Sequence, residues 1–169
     1  MIQILFRRAG IVFLVAALQV LVFNHINLWG CAMPLMGILA VLYTPLGSSR
    51  IGNMCLTFVT GLILDAFSNT PGVAAGAMTA TAFVRHYLLQ AMVSKDAPVD
   101  AVPDAWMLGR YRYFSYLAIL MAVHHCLYFL LEAFAFRYVT DLLPCLLGSY
   151  ALSLLISLSI ELFRTSGSE

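Results

Sequence analysis

The sequence predicts an all-α polytopic membrane protein, a bundle of six transmembrane helices with both termini on the cytoplasmic side. Three observations carry that reading. Hydrophobic residues make up 62% of the 169-residue chain, charged residues only 10%, and the mean hydropathy is +0.92. A soluble domain carries about 25% charged residues. Apolar runs recur over residues 9–28, 31–46, 51–67, 72–93, 113–136 and 142–163, divided by short polar breaks. The basic residues, finally, are distributed unequally between the two sets of connections. The chain reads as a single six-span membrane domain with one sizeable loop, 94–112.

In chain order, Arg7 and Arg8 precede the first run, and no small-residue cleavage site follows it, so it reads as a retained span and not a signal peptide. Asn27 and Trp29 fall where interfacial side chains are expected. The second run is short, has Pro34 and Pro45 near its ends, and is expected to thin the bilayer locally or to start inside protein contacts. The third carries Asn53 near its start and Asp65 near its end; the fourth follows a break at Ser68-Asn69-Thr70-Pro71-Gly72, a sequence that reverses the chain where backbone groups meet water. Loop 94–112 spaces Asp96, Asp100 and Asp104 every fourth residue, yet Pro98 and Pro103 oppose a regular helix there. Trp106, Tyr111 and Tyr113 place its second half along the interface. A brief turn at 137–141 joins the last two runs, 165–169 is a polar tail, and no internal repeat is visible.

With the N-terminus inside, the inner segments hold Arg7, Arg8, Arg50, Lys95, Arg110, Arg112 and Arg164, and the outer loops only Arg137. That distribution satisfies the positive-inside rule and places Asp65 and the Pro71-Gly72 turn on the outer side. Ionisable residues within spans cost roughly 2.5–3.5 kcal/mol at a span centre. Arg85 and Glu161 both fall in inner halves, where they either pair or snorkel to the nearer surface. Asp65, Glu132 and Arg137 form a candidate outer cluster. His124 and His125 are adjacent at mid-span and point about 100° apart, which favours packing and interhelical hydrogen bonds over ligation at one site.

Gly72-x-x-x-Gly76-x-x-x-Ala80 gives the fourth span a small-residue face for close helix approach, read as intramolecular. Ser149, Ser153 and Ser157 lead by steps of four to Glu161, a polar stripe expected to face the bundle interior. The four cysteines have no metal-ligand spacing and read as apolar packing, so no metal or cofactor is expected. A net charge of +1 argues against a nucleic-acid partner. Catalytic patterns of the nucleophile-elbow, zincin and phosphate-loop types are absent, and Ser68 and Asp65 have no histidine within sequence reach, so no enzymatic activity is expected.

Gly61-Leu62-x-x-Asp65-x-x-Ser68-x-x-Pro71-Gly72, followed by a small-residue helix ending in Phe83-x-Arg85, resembles the signature of the MreD family of bacterial rod shape-determining membrane proteins. The resemblance covers about 25 residues; it departs at Ala74-Ala75, where family members often carry Asn or His before an alanine. It implies a non-enzymatic scaffold of the cell-wall elongation complex in the inner membrane, binding an MreC-like bitopic protein and supporting RodA, its partner transpeptidase and MreB. Gly61, Asp65, Ser68, Pro71, Gly72, Gly76, Arg85, Glu132 and Glu161 are the candidate docking or structural residues. On this reading Asp65 caps the start of the fourth span. The alternative from another class is a small-molecule-binding subunit of a vitamin or metabolite uptake transporter, to which the short second and third runs and the Asp65/Glu132 pair lend support.

Overall fold

The computed structural model describes residues 2–26, 32–94, 97–136 and 142–166. Among these the regular elements are helical: α1 (Ile2–Leu21), α2 (Leu39–Leu42), α3 (Arg50–Ser68), α4 (Val73–Met92), α5 (Ala105–Leu108), α6 (Arg110–Phe136) and α7 (Leu142–Ser166), with 3-10 turns at Phe23–His25 and Met36–Ile38. The expected interfacial pair Asn27 and Trp29, Cys31, Lys95, Asp96 and the turn at 137–141 lie outside the described residues. Three helical stretches, Arg50–Ser68, Arg110–Phe134 and Leu142–Arg164, are long and apolar enough to cross a membrane. Helix α4 is 20 residues long, but Arg85, His86 and Gln90 in its second half lower its hydropathy.

Local chemistry sets the helix ends. Ser49 caps α3, its Oγ accepting from the Gly52 N–H at 3.2 Å, and Asn69 closes α3 in the left-handed conformation at φ 55°. Gly72 occupies the same region at φ 83°, where a side chain is disfavoured, and α4 begins on the next residue. Helices α3 and α4 thus form the expected hairpin. At its open end the Arg50 guanidinium stacks 4.3 Å from the centre of the Phe83 ring. In α7, Pro144 sits in the first turn, where its missing N–H breaks no intrahelical bond.

The second apolar run departs from expectation. It forms no spanning helix; its helical part, Met36–Ile38 continuing into Leu39–Leu42, rises only roughly 11 Å. Pro34 and Gly37 oppose helix at its start, and Pro45 ends it. Every residue from 32 to 44 is buried apart from Met33 and Tyr43, which are half-buried. The segment therefore runs through the middle of the bundle, sheathed by protein. Among the described residues of the long loop, α5 and the start of α6 from Arg110 are helical, and α5 is capped by Asp104 Oδ1 on the Met107 N–H at 2.8 Å. Residues before α5 fold back on the α2–α3 connection, where the Leu46 and Gly47 N–H groups donate to the Ala101 and Val99 carbonyls at 2.9 and 2.7 Å.

Candidate functional site

Gly61 and Asp65 lie one helical turn apart on the face of α3 that meets α4. A Cβ at Gly61 would stand 2.4 Å from the Ala75 Cα and 2.6 Å from its nitrogen, so only glycine lets the first turn of α4 come this close. That approach brings the α4 amides onto the Asp65 carboxylate. Oδ1 accepts from the Ala74 N–H at 2.8 Å and the Thr70 hydroxyl at 3.0 Å, and Oδ2 accepts from the Ala75 N–H at 2.9 Å. The Asp65 carbonyl also accepts the Asn69 and Thr70 N–H groups that close α3. One residue thus ends one helix and starts the next, and it is itself only 4% exposed. The negative charge meets the positive end of α4 at hydrogen-bond distance, which is the capping role expected of it.

The corner continues into α1. Ser68 Oγ accepts from Asn24 Nδ2 at 2.9 Å, and Asn24 Oδ1 accepts from Gln19 Nε2 at 2.9 Å. Gln19 then holds the broken second segment. Its Oε1 accepts the Met36 and Gly37 N–H groups at 2.6 and 3.2 Å, and its Nε2 donates to the Pro34 carbonyl at 3.1 Å. These are buried backbone groups that no helix satisfies.

The serine stripe of α7 does the same from the opposite side. Ser149 Oγ accepts the Met33 N–H and Ser153 Oγ the Leu35 N–H, each at 3.0 Å. His125 Nδ1 lies 2.8 Å from the Met121 carbonyl, which only accepts, so Nδ1 carries the proton and Nε2 accepts from the Ser153 hydroxyl at 3.0 Å. Ser157, the next of the stripe, is buried with no hydrogen-bond partner among the described residues. The segment's far end is held by Arg85, which donates from Nη2 to the Thr44 carbonyl, while Thr44 Oγ1 also bonds Asn53 Oδ1 at 3.1 Å.

Arg85 and Glu161 are both buried, at 3% and 5% exposure, but they do not pair directly. Arg85 Nε donates to the Tyr116 hydroxyl at 3.0 Å, Tyr116 lies against Tyr113 with ring centres 6.2 Å apart, and the Tyr113 hydroxyl donates to Glu161 at 3.0 Å. Glu161 also meets Arg164 at 3.4 Å, and Arg164 reaches Asp104 at 3.6 Å. Two tyrosines one turn apart on α6 therefore bridge the two charges. Neither charge snorkels to the bundle surface.

Glu132 is half-buried, and Arg137 is outside the described residues. Gly76 faces α6, where a Cβ would stand 3.0 Å from a Leu131 methyl, in keeping with an intramolecular small-residue face. Pro71 and Gly72 are exposed at the tip of the corner. Cys145 is buried, whereas Cys55 and Cys126 are exposed on the bundle surface. Sequence reasoning missed Gln19, Asn24 and Thr44. A lone glutamine deep in an apolar run was the available signal for Gln19, because such a residue needs partners in a membrane.

No protein-family model, no curated protein and no solved structure matches this chain.

Proposed function

We propose that this chain is a non-enzymatic, six-crossing scaffold of the bacterial cytoplasmic membrane that acts in cell-wall elongation as MreD proteins do. The observation that carries the reading is the 61–72 corner. Within the 61–72 part of the MreD-like signature, Gly61 admits α4, Asp65 caps it and Ser68 ties it to α1. The polar groups of that unit are directed at the protein's own backbone and side chains, the economy of a structural element.

On this reading α1, the broken 32–44 segment, α3, α4, α6 and α7 cross in alternation, with both termini and loop 94–112 cytoplasmic. Support comes from the pairing of ends: Asn24 meets Ser68 at one end of the bundle, and Arg50 meets Phe83 toward the other. The exposed tip, Asn69, Pro71 and Gly72, is the docking surface for an MreC-like bitopic protein, with RodA, its partner transpeptidase and MreB as further members of the complex and lipid around the apolar helices. Asp65 contributes to docking by holding the tip in shape.

Gentle-detergent purification of the tagged protein from its own host, followed by mass spectrometry, tests this. Recovery of an MreC-like protein with wall synthases is the expected result. Recovery of transporter ATPase subunits or a stoichiometric metabolite would replace the scaffold with the small-molecule-binding subunit of an uptake transporter.

A further inference from the structure

Between α1, the 3-10 turn at Met36–Ile38, the corner and α6 lies a cavity of about 20 Å³ whose polar lining is Gln19, Asn24, Ser68, His124 and Tyr128. One group in that lining stands out. His124 is 2% exposed, and its Nδ1 has no hydrogen-bond partner among the described residues. The ring forms part of the cavity wall. A buried polar nitrogen left without a partner is destabilising by the cost of its desolvation.

A hydrogen-bond inventory of the lining shows what would fit. Gln19 is saturated: its amide protons go to Asn24 and Pro34, and its oxygen takes the two N–H groups of Met36 and Gly37. Asn24 has used one amide proton and one oxygen lone pair, and Ser68 Oγ accepts from Asn24 but donates to no described group. What remains is a hydroxyl donor at Ser68, one donor and one acceptor at Asn24, and the ring nitrogen at His124, beside the Tyr128 hydroxyl, which lies near Thr70. A water molecule offers two protons and two lone pairs to that set, and the volume admits one. A metal cation would find too few uncommitted oxygens, since both lone pairs of the Gln19 oxygen are taken.

We propose that this cavity is a specific site for a single structural water, which hydrogen-bonds to His124 Nδ1 and bridges it to Ser68 and Asn24. The water extends to His124 of α6 the path that Asn24 and Ser68 already make between α1 and the 61–72 corner. It enters from the side of Ser68 and Asn24, which are half-buried, while His124 forms the closed end. This inference stands independently of the proposed scaffold role.

His125 supplies an internal control, because it is fully buried and both its ring nitrogens are already bonded within the protein. The test is solid-state NMR of the full chain in lipid bilayers with nitrogen-15 histidine, reading magnetisation transfer from water protons to each ring; His124→Gln assigns the signals. The expected result is transfer to the His124 ring several-fold faster than to His125. Equal rates, slow or fast, overturn the proposal, since they mean a dry cavity or a bundle that is wet throughout. Ser68→Val removes the hydroxyl at the mouth and should lower the His124 transfer several-fold without changing His125. An unchanged His124 signal in a folded Ser68→Val protein would also overturn it.

Discussion

At the 61–72 corner a single carboxylate finds all of its partners within ten residues of itself, whereas the 32–44 segment draws its partners from α1, α4 and α7, up to 118 positions away. Both places face one requirement: backbone N–H and C=O groups that no helix satisfies must be paired inside an apolar bundle. The corner meets it at the surface end of a hairpin, with two helix termini sharing one residue. The segment meets it in the interior, with Gln19, Ser149, Ser153 and Arg85 closing on it from three sides. A local solution is compact and depends on one close approach. A distributed solution spreads the same task over several helices, so that each polar residue deep in the bundle becomes a fixing point for the segment.

Substitutions should separate the two designs. The largest effect is expected at Gly61, where the contact is with backbone and cannot be relieved by a side-chain rotation. Gly61→Val should destabilise the hairpin by about 3 kcal/mol or more, seen as loss of folded protein in detergent thermal melts; near-normal melting would show that α4 does not approach as described. Of comparable size is Gln19→Leu, which orphans three backbone groups at about 1–3 kcal/mol each. It should release the 32–44 segment while leaving the corner intact.

Asp65→Ala orphans the Ala74 and Ala75 amides, again at about 1–3 kcal/mol each, and Asp65→Asn should recover part of the loss by keeping one acceptor. If Asn is as damaging as Ala, the charge and not the capping geometry is what matters. Ser149→Ala removes one partner from a segment that has several, and about 1 kcal/mol is expected. Smallest of all is Ser157→Ala, which removes a buried hydroxyl that bonds nothing and should be neutral or slightly stabilising. A clear loss there would mean that the stripe carries a contact beyond those described.

The same contrast explains how much was legible in the sequence. The hairpin was readable because its signals are local: Ser68-Asn69-Thr70-Pro71-Gly72 forbids helix, and an acid just before a helix start has one obvious use. The capping role of Asp65 and the inward face of the serine stripe were both within reach of that reasoning. The broken segment was not, because hydropathy registers that 31–46 is apolar and says nothing about whether its backbone is helical. Pro34 and Gly37 hinted at a break, but the residues that make the break tolerable lie on other helices. For Arg85 and Glu161 the sequence showed two opposite charges in the inner halves of their spans, which left pairing and snorkelling both open. Tyr113 and Tyr116 intervene between them, a geometry that follows from the rotation of α6 and leaves no trace in spacing along α4 or α7.

Amide hydrogen exchange, resolved to single residues in bilayer discs, tests most directly the claim that side chains from distant helices hold a non-helical segment inside the bundle. In the unmodified protein the Met36 and Gly37 amides should be protected as strongly as Ala74 and Ala75; in Gln19→Leu they should exchange orders of magnitude faster while Ala74 and Ala75 stay protected. Protection of Met36 and Gly37 that survives the loss of Gln19 would contradict the account, because it would mean that the segment satisfies its own backbone.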